Sequence, residues 1–555
     1  MIETAADIIK NAIDNLRKNG GIKTEDTPDI IIERPKRDEF GDYATNVAML
    51  LASKEARPPR QIAEAIVKEI KPSAYVKKAE IAGPGFINIF MQGDYWLNLL
   101  KEVYSLKERY GTSNIGAGKK VQVEFVSANP TGPLHIGHGR GAAVGDALVN
   151  ILKAAGYDVT KEYYINDRGR QVETLGRSVY LRYLELFGKG MELPEDAYKG
   201  GYIKDLAGDY KQKFGDSYAV MGYKEDSVSK FADFAKGALL EHIKKDLRDF
   251  GVEFDRWFSE NDDLYNKNFV TKAIEELEMK GVIFEEEGAK WFRTTMFGDD
   301  KDRVLRKADG ELTYFAADIA YHKNKMERGL HSIVNIWGAD HHGYEARVRA
   351  ALKAFGYDDS ALKIIFIQLV SLLRNGAPVP MGKREGEFVT LRQVIDEVGK
   401  DACRFFFLMR KSDAHLDFDL ELAKKQAPEN PVFYVQYAHA RICSIIKHAK
   451  EKEITSPKTE DVNIKLLRLK EELDIIKKLA FFPDIVKGSA IAMEPHRITF
   501  YLQELAAMFH PYYNKNRVVT EDAKLTDARL YLCEAVRIVL QNGLKLLGIS
   551  APEEM

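Results

Sequence analysis

A chain of 555 residues, 45% hydrophobic and 30% charged, has the composition of an ordinary soluble globular protein and the length for about three or four domains. Its 82 Lys and Arg against 84 Asp and Glu exclude a surface that is basic all over, while leaving room for a local basic face. Cys403, Cys443 and Cys533 lie far apart without paired spacing, and no stretch is apolar enough to span a bilayer or to act as a leader, so the expectation is reduced thiols, no zinc site, no membrane partner and a cytoplasmic protein.

In chain order, Ile2, Ala5, Ile9, Ala12, Ile13 and Leu16 recur at helical spacing and predict an amphipathic first helix. Ile30-Ile31-Ile32 is a candidate buried strand, and the segment from Phe40 to Asn46 leads into another helix. Gly83-Pro84-Gly85 is a turn, followed by a short strand in which Phe86 reads as core and Asn88 as a cap of the turn. Gly111 to Gly118 carries Gly, Ser and Asn and reads as a linker, closing a first domain at 1–117.

Next comes Lys120 to Val126, alternating and β-rich, then Ser127-Ala128-Asn129-Pro130-Thr131-Gly132-Pro133-Leu134-His135-Ile136-Gly137-His138. The prolines stop the strand, and Gly141 to Lys153 reads as a helix with Val144, Leu148 and Leu152 apolar. Two histidines three apart thus stand where a helix begins, a place whose free backbone N–H groups attract phosphate. Val159 to Ile165 is a second strand of the same unit, whereas about 178–300 is charged and helical. Asp309-Gly310 is a hairpin turn, after which Tyr314 and Asp318 share one helical face. Ile333 to Trp337 is a strand opening into Gly338-Ala339-Asp340-His341-His342, Ile364 to Leu373 is a further strand, and everything from about 427 is helical.

The string Val123 to His138, with Pro-Leu-His-Ile-Gly-His directly after a strand, resembles the nucleotide-binding signature of class I aminoacyl-tRNA synthetases, and its longer form resembles the arginyl-tRNA synthetases. That resemblance extends over nearly the whole chain. It implies an α/β Rossmann-type class I catalytic domain at 118–426 split by the insertion at about 178–300. An α+β N-terminal domain at 1–117 would contact the tRNA elbow, and an all-α bundle at 427–555 would bind the anticodon. It also implies the reaction: arginine and ATP give arginyl-adenylate and pyrophosphate, and the arginyl group passes to the 2′-hydroxyl of the terminal adenosine of tRNA(Arg).

Residue by residue, the resemblance puts ATP on Pro133, His135, Gly137, His138, Asp340, Met381 and Lys383, with His135, His138 and Lys383 catalytic. L-arginine falls to Glu124, Asn129, Tyr314, Asp318 and His341. The tRNA falls to Phe86 and Asn88 at the elbow and to Tyr437, Tyr513 and Met555 near the anticodon. Mg²⁺ would ride on the ATP phosphates, with no protein-bound metal. The second class I signature departs from the family pattern: Lys-Met-Ser-Lys-Ser is here Pro380-Met381-Gly382-Lys383-Arg384, which leaves Lys383 to neutralise pyrophosphate, with Arg384 beside it. A monomer is implied, and tRNA bound before amino-acid activation. Another class I synthetase, a small adenylyltransferase or a catalytically silent tRNA-binding relative are the alternatives; the second needs no residues 427–555, and the third would have lost His135, His138 or Lys383.

Overall fold

The computed structural model describes residues 5–28, 30–35, 37–73, 75–220, 222–379, 389–454 and 462–555. At its centre is a five-stranded, all-parallel sheet in the order Leu362–Ile367, Ser332–Gly338, Lys120–Glu124, Asp158–Ile165, Arg256–Ser259. The chain starts in the middle strand, winds outward through the next two, and returns on the other side with the last two. The order therefore reverses between Lys120–Glu124 and Ser332–Gly338, and the crevice at the carboxyl ends of those two strands is where such sheets bind ligand.

The helix Ile136–Ala154 follows the middle strand and is apolar nearly all round, with Ala142, Ala143, Ala147, Leu148 and Ile151 buried, as a helix enclosed by protein must be. It starts earlier than the expected Gly141. At Gly145 an added Cβ would stand 2.3 Å from the Phe125 ring, so the helix can lie this close to the strand end only with glycine there.

The stretch expected as an insertion is not separate throughout. Arg170–Glu185, Gly201–Phe214 and Val228–Asp249 build a helical cluster around Tyr180, Tyr183, Tyr210 and Phe231. Arg256–Ser259, however, returns to pair with Glu162 to Ile165 as the edge strand of the central sheet. Charge-rich flanks hid a four-residue strand. The expected single strand Ile364 to Leu373 is two: Leu362–Ile367 joins the parallel sheet, and Val370–Arg374 pairs with Leu416–Asp419 in a smaller one. The break comes at Gln368, whose carbonyl accepts from the buried Arg140 guanidinium at 2.8 Å.

In the first domain the helix Ala5–Lys18 buries Ala5, Ile8, Ile9, Ala12, Ile13 and Leu16 against a three-stranded antiparallel sheet and its helices. Ile30 to Ile32 forms no strand: Ile31 is half exposed, and only Glu33 bridges to Ala44. The last domain is a bundle whose entry is fixed by Asn430, which accepts the Val432 N–H and caps Pro431–Glu451. First and last domains are docked on each other. Tyr104 stacks on Tyr531 at 3.7 Å, the Tyr110 hydroxyl donates to the Leu479 carbonyl, and Lys477 pairs with Asp42 at 2.6 Å. Among the described residues no helix is long and apolar enough to cross a membrane.

Candidate active site

The first signature forms the end of a helix. Nδ1 of His135 accepts the Gly137 N–H at 3.1 Å, Nδ1 of His138 accepts the His135 N–H at 3.3 Å, and the rings stack 3.6 Å apart. A neutral imidazole that accepts through Nδ1 carries its proton on Nε2, so both rings present an N–H donor beside the helix N-terminus. A Cβ at Gly137 would press on the His135 ring at 3.0 Å, so a larger residue here would shift that ring. The same helix holds the stem of the second signature on both sides. Arg140 donates to the carbonyls of Gln368, Lys411 and Ala414, and the Leu391 N–H donates to the Leu134 carbonyl at 2.7 Å. Pro133 lies just before the helix, and Met381, Lys383 and Arg384 lie outside the described residues.

Next to this helix end the chain gathers carboxylates. Glu124 closes the middle strand and is buried; its Oε1 accepts from Ser127 Oγ at 2.9 Å. Ser127 is held by a strained turn, with φ of +69° at the β-branched Val126 and +40° at Ser127, and its Oγ accepts the Tyr164 N–H at 3.1 Å. Glu260, buried at the end of the edge strand, accepts from the Tyr164 hydroxyl at 2.7 Å. Asp318 faces both from the helix Tyr314–Glu327. Burial pushes its carboxyl up to about 7, the Glu260 and Glu124 charges add to this, and Lys325 and Arg347 oppose it. Burial also raises Glu260. Carboxylates coupled in this way are costly to ionise together unless a cation joins them, and Lys325 already pairs with Glu124. The guanidinium group, planar and with five fixed donors, is the side-chain cation that can bridge several carboxylates at once.

Comparison with known proteins bears directly on this pocket. A family model described as "tRNA synthetases class I (R), catalytic domain" matches residues 100–416, "Arginyl tRNA synthetase N terminal domain" matches 3–91, and "DALR anticodon binding domain" matches 435–555. The chain is 52% identical over 549 residues to the arginine–tRNA ligase of Citrifermentans bemidjiense, with 99% of each chain covered. The chain belongs to the arginyl-tRNA synthetases. The ligase of a Geobacter species is 53% identical, again over 99% of both chains. In fold, the chain superposes on the Thermus thermophilus arginyl-tRNA synthetase over 100% of both chains with a TM-score of 0.76 at 22% identity. It is thus an arginine–tRNA ligase, which uses ATP to charge tRNA with arginine.

Within this synthetase the remaining expected residues fall in three places. Asn129 lies beside the pocket, donating to Gln171 at 2.7 Å, and the exposed Tyr314 lines a cavity of about 320 Å³ with Arg170, Gln171, Thr174, Asp196 and Tyr198. Asp340 and His341 stand exposed in the turn after Ser332–Gly338, across the crevice from Glu124. On the tRNA side, Tyr437 and Tyr513 sandwich the Arg441 guanidinium, 4.4 and 4.8 Å from their ring centres, and Met555 is exposed. Phe86 is half buried, and Asn88 is buried in the central strand of the first domain. Sequence reasoning missed Glu260 and the buried Lys325 entirely. A glutamate directly after a short aromatic strand, Arg256-Trp257-Phe258-Ser259, was the available signal for the first.

Proposed function

We propose that Glu124, Glu260 and Asp318 receive the arginine guanidinium, with Tyr314 along its stem and Asn129 and His341 at its amino and carboxylate end. The observation that carries this reading is that Asp318 is coupled both to Glu124, which ends the strand at the switch point of the sheet, and to Glu260, which follows the edge strand. ATP lies against Gly137 and Pro133 with Asp340 and Met381 beside it; His135, His138 and Lys383 act on its phosphates, and Mg²⁺ rides on those phosphates. The arginine carboxylate attacks the α-phosphate in line and pyrophosphate leaves. No protein nucleophile is required, so positioning and positive charge on the phosphorane carry the rate. The 2′-hydroxyl of the terminal adenosine then takes the arginyl group.

The tRNA is held by Phe86 and Asn88 at one end and by Tyr437, Tyr513 and Met555 at the other, on a cytoplasmic monomer with domains at 1–117, 118–426 and 427–555. Binding of tRNA precedes activation, because the glycine-bearing second signature carries only Lys383 and Arg384 and gains from a partner that favours the closed site. Two assays test these readings. Charging with each of the twenty amino acids should give product with arginine alone. Arginine-dependent pyrophosphate exchange should be nearly absent without tRNA(Arg) and appear on its addition; robust exchange by the enzyme alone would sink the gating.

A further inference from the structure

The helix that presents Asp318 also carries a cation for which the chemistry has no direct use. Lys325 has no exposed side-chain area, lies 4.2 Å from the Tyr321 ring centre, and donates to Oε2 of Glu124 at 2.5 Å and to Oδ1 of Asn335 at 2.8 Å. Nδ2 of Asn335 meets Nε2 of His322 at 2.7 Å, and Nδ1 of His322 meets the Asp318 carbonyl at 2.8 Å. A carbonyl only accepts, so His322 donates to it through Nδ1–H and accepts from Asn335 through Nε2, which turns Oδ1 of the amide toward the ammonium. Burial keeps His322 neutral by pushing it down to about 3. Lys325 is therefore the donor at the head of both branches: hydrogens run from it through Asn335 and His322 to the Asp318 carbonyl, and from it directly to Glu124. The Glu124 carboxylate and the backbone carbonyl of Asp318 are thus the two ends of one network.

A buried ion pair is weak evidence for stability, since well-packed apolar side chains often do as well. Its geometry suggests another use. Lys325 meets Glu124 through Oε2 and Ser127 meets it through Oε1, so both oxygens are fixed, and each retains lone-pair capacity for a further donor. We propose that Lys325 is a positioning residue for arginine recognition: it grips Glu124 from within the protein and sets the plane of the carboxylate before the guanidinium arrives. This rests on the reading of Glu124 as an arginine acceptor.

Steady-state charging by the full-length enzyme with tRNA(Arg) tests it through three variants: Lys325→Met, Glu124→Gln and the double substitution. Lys325→Met should raise the KM for arginine ~30-fold while leaving kcat and the KM for ATP within about threefold, since it removes an orientation that only arginine uses. The double variant should match Glu124→Gln alone, because Lys325 acts through that carboxylate. A folded Lys325→Met enzyme with an unchanged KM for arginine overturns the proposal while a raised KM in Glu124→Gln leaves the arginine pocket standing. An unchanged KM in Glu124→Gln overturns both. If Lys325→Met does not fold, the neutral double variant decides: additive losses relative to Glu124→Gln refute the positioning role, and equality supports it.

Discussion

Asp318 should make arginine recognition titrate near neutral pH. Its carboxyl sits at about 7 instead of the ordinary 3.8 because it is buried opposite Glu260 and Glu124. That displacement is worth about 4 kcal/mol of lost preference for the charged form, at about 1.4 kcal/mol per pH unit. The sign follows from which state holds the proton. Between 3.8 and about 7 the folded, substrate-free enzyme binds a proton that the unfolded chain has released. The stability from this group is therefore complete below the unfolded value and is lost as pH rises through the folded one. Arginine reverses the balance, since a guanidinium needs the ionised acid and must expel the proton. Measured with tRNA(Arg) and saturating ATP, kcat/KM for arginine should be level above about pH 7 and fall about tenfold per unit below it. In parallel, the thermal upshift caused by arginine should be larger at about pH 8 than at about pH 6. Asp318→Asn should flatten the profile and lower kcat/KM about 10–100-fold at about pH 8, the cost of one charged acceptor. A wild-type profile flat across this range, or an unchanged slope in Asp318→Asn, would refute the reasoning.

Glu260→Gln should raise the KM for arginine about tenfold and leave that for ATP unchanged, because Glu260 is coupled to Asp318; equal changes in both would remove it from the arginine pocket. Lys383→Ala should lower kcat for adenylate formation about 100-fold by loss of charge on the departing pyrophosphate, read by single-turnover kinetics with tRNA present. Arg404→Met should destabilise the fold by about 3 kcal/mol in urea titrations. It strips Asp146 of a buried partner at 2.5 Å and the Leu547 carbonyl of two donors, leaving Asp146 with Lys161 and a long hydrogen bond from Asn150.

What was legible in the sequence was what is local. Val123 to His138 announces a strand, a turn and a helix start within sixteen residues, and Tyr314 and Asp318 fall on one helical face by their spacing alone. The supporting shell was not legible, because it is assembled across the sheet. Lys325 reaches Glu124 over 201 positions, and Glu162, register partner of Glu124, accepts from Tyr321 at 2.7 Å and pairs with Arg328. Glu260 lies where charge density suggests solvated helix, and only the pairing of Arg256–Ser259 with its neighbour reveals it as the end of a buried strand. Apolar runs misled in the opposite direction. Ile30 to Ile32 has strand composition without a strand to pair with, and Ile364 to Leu373 looks continuous although Arg140 claims the carbonyl at its middle.

The docking of the first domain on the last has a consequence for how the chain is made. Asn542 donates to the carbonyls of Lys107 and Tyr110 across 435 and 432 positions, and Trp96 packs beside Phe481. A ribosome adding about 5–20 residues per second takes roughly 20–90 s to cover that separation. Throughout that interval the face formed by Tyr43, Trp96 and Tyr104 has emerged without the helices that cover it. A nascent chain halted within the bundle should therefore show its first domain more susceptible to protease and more readily held by chaperones than the finished protein does.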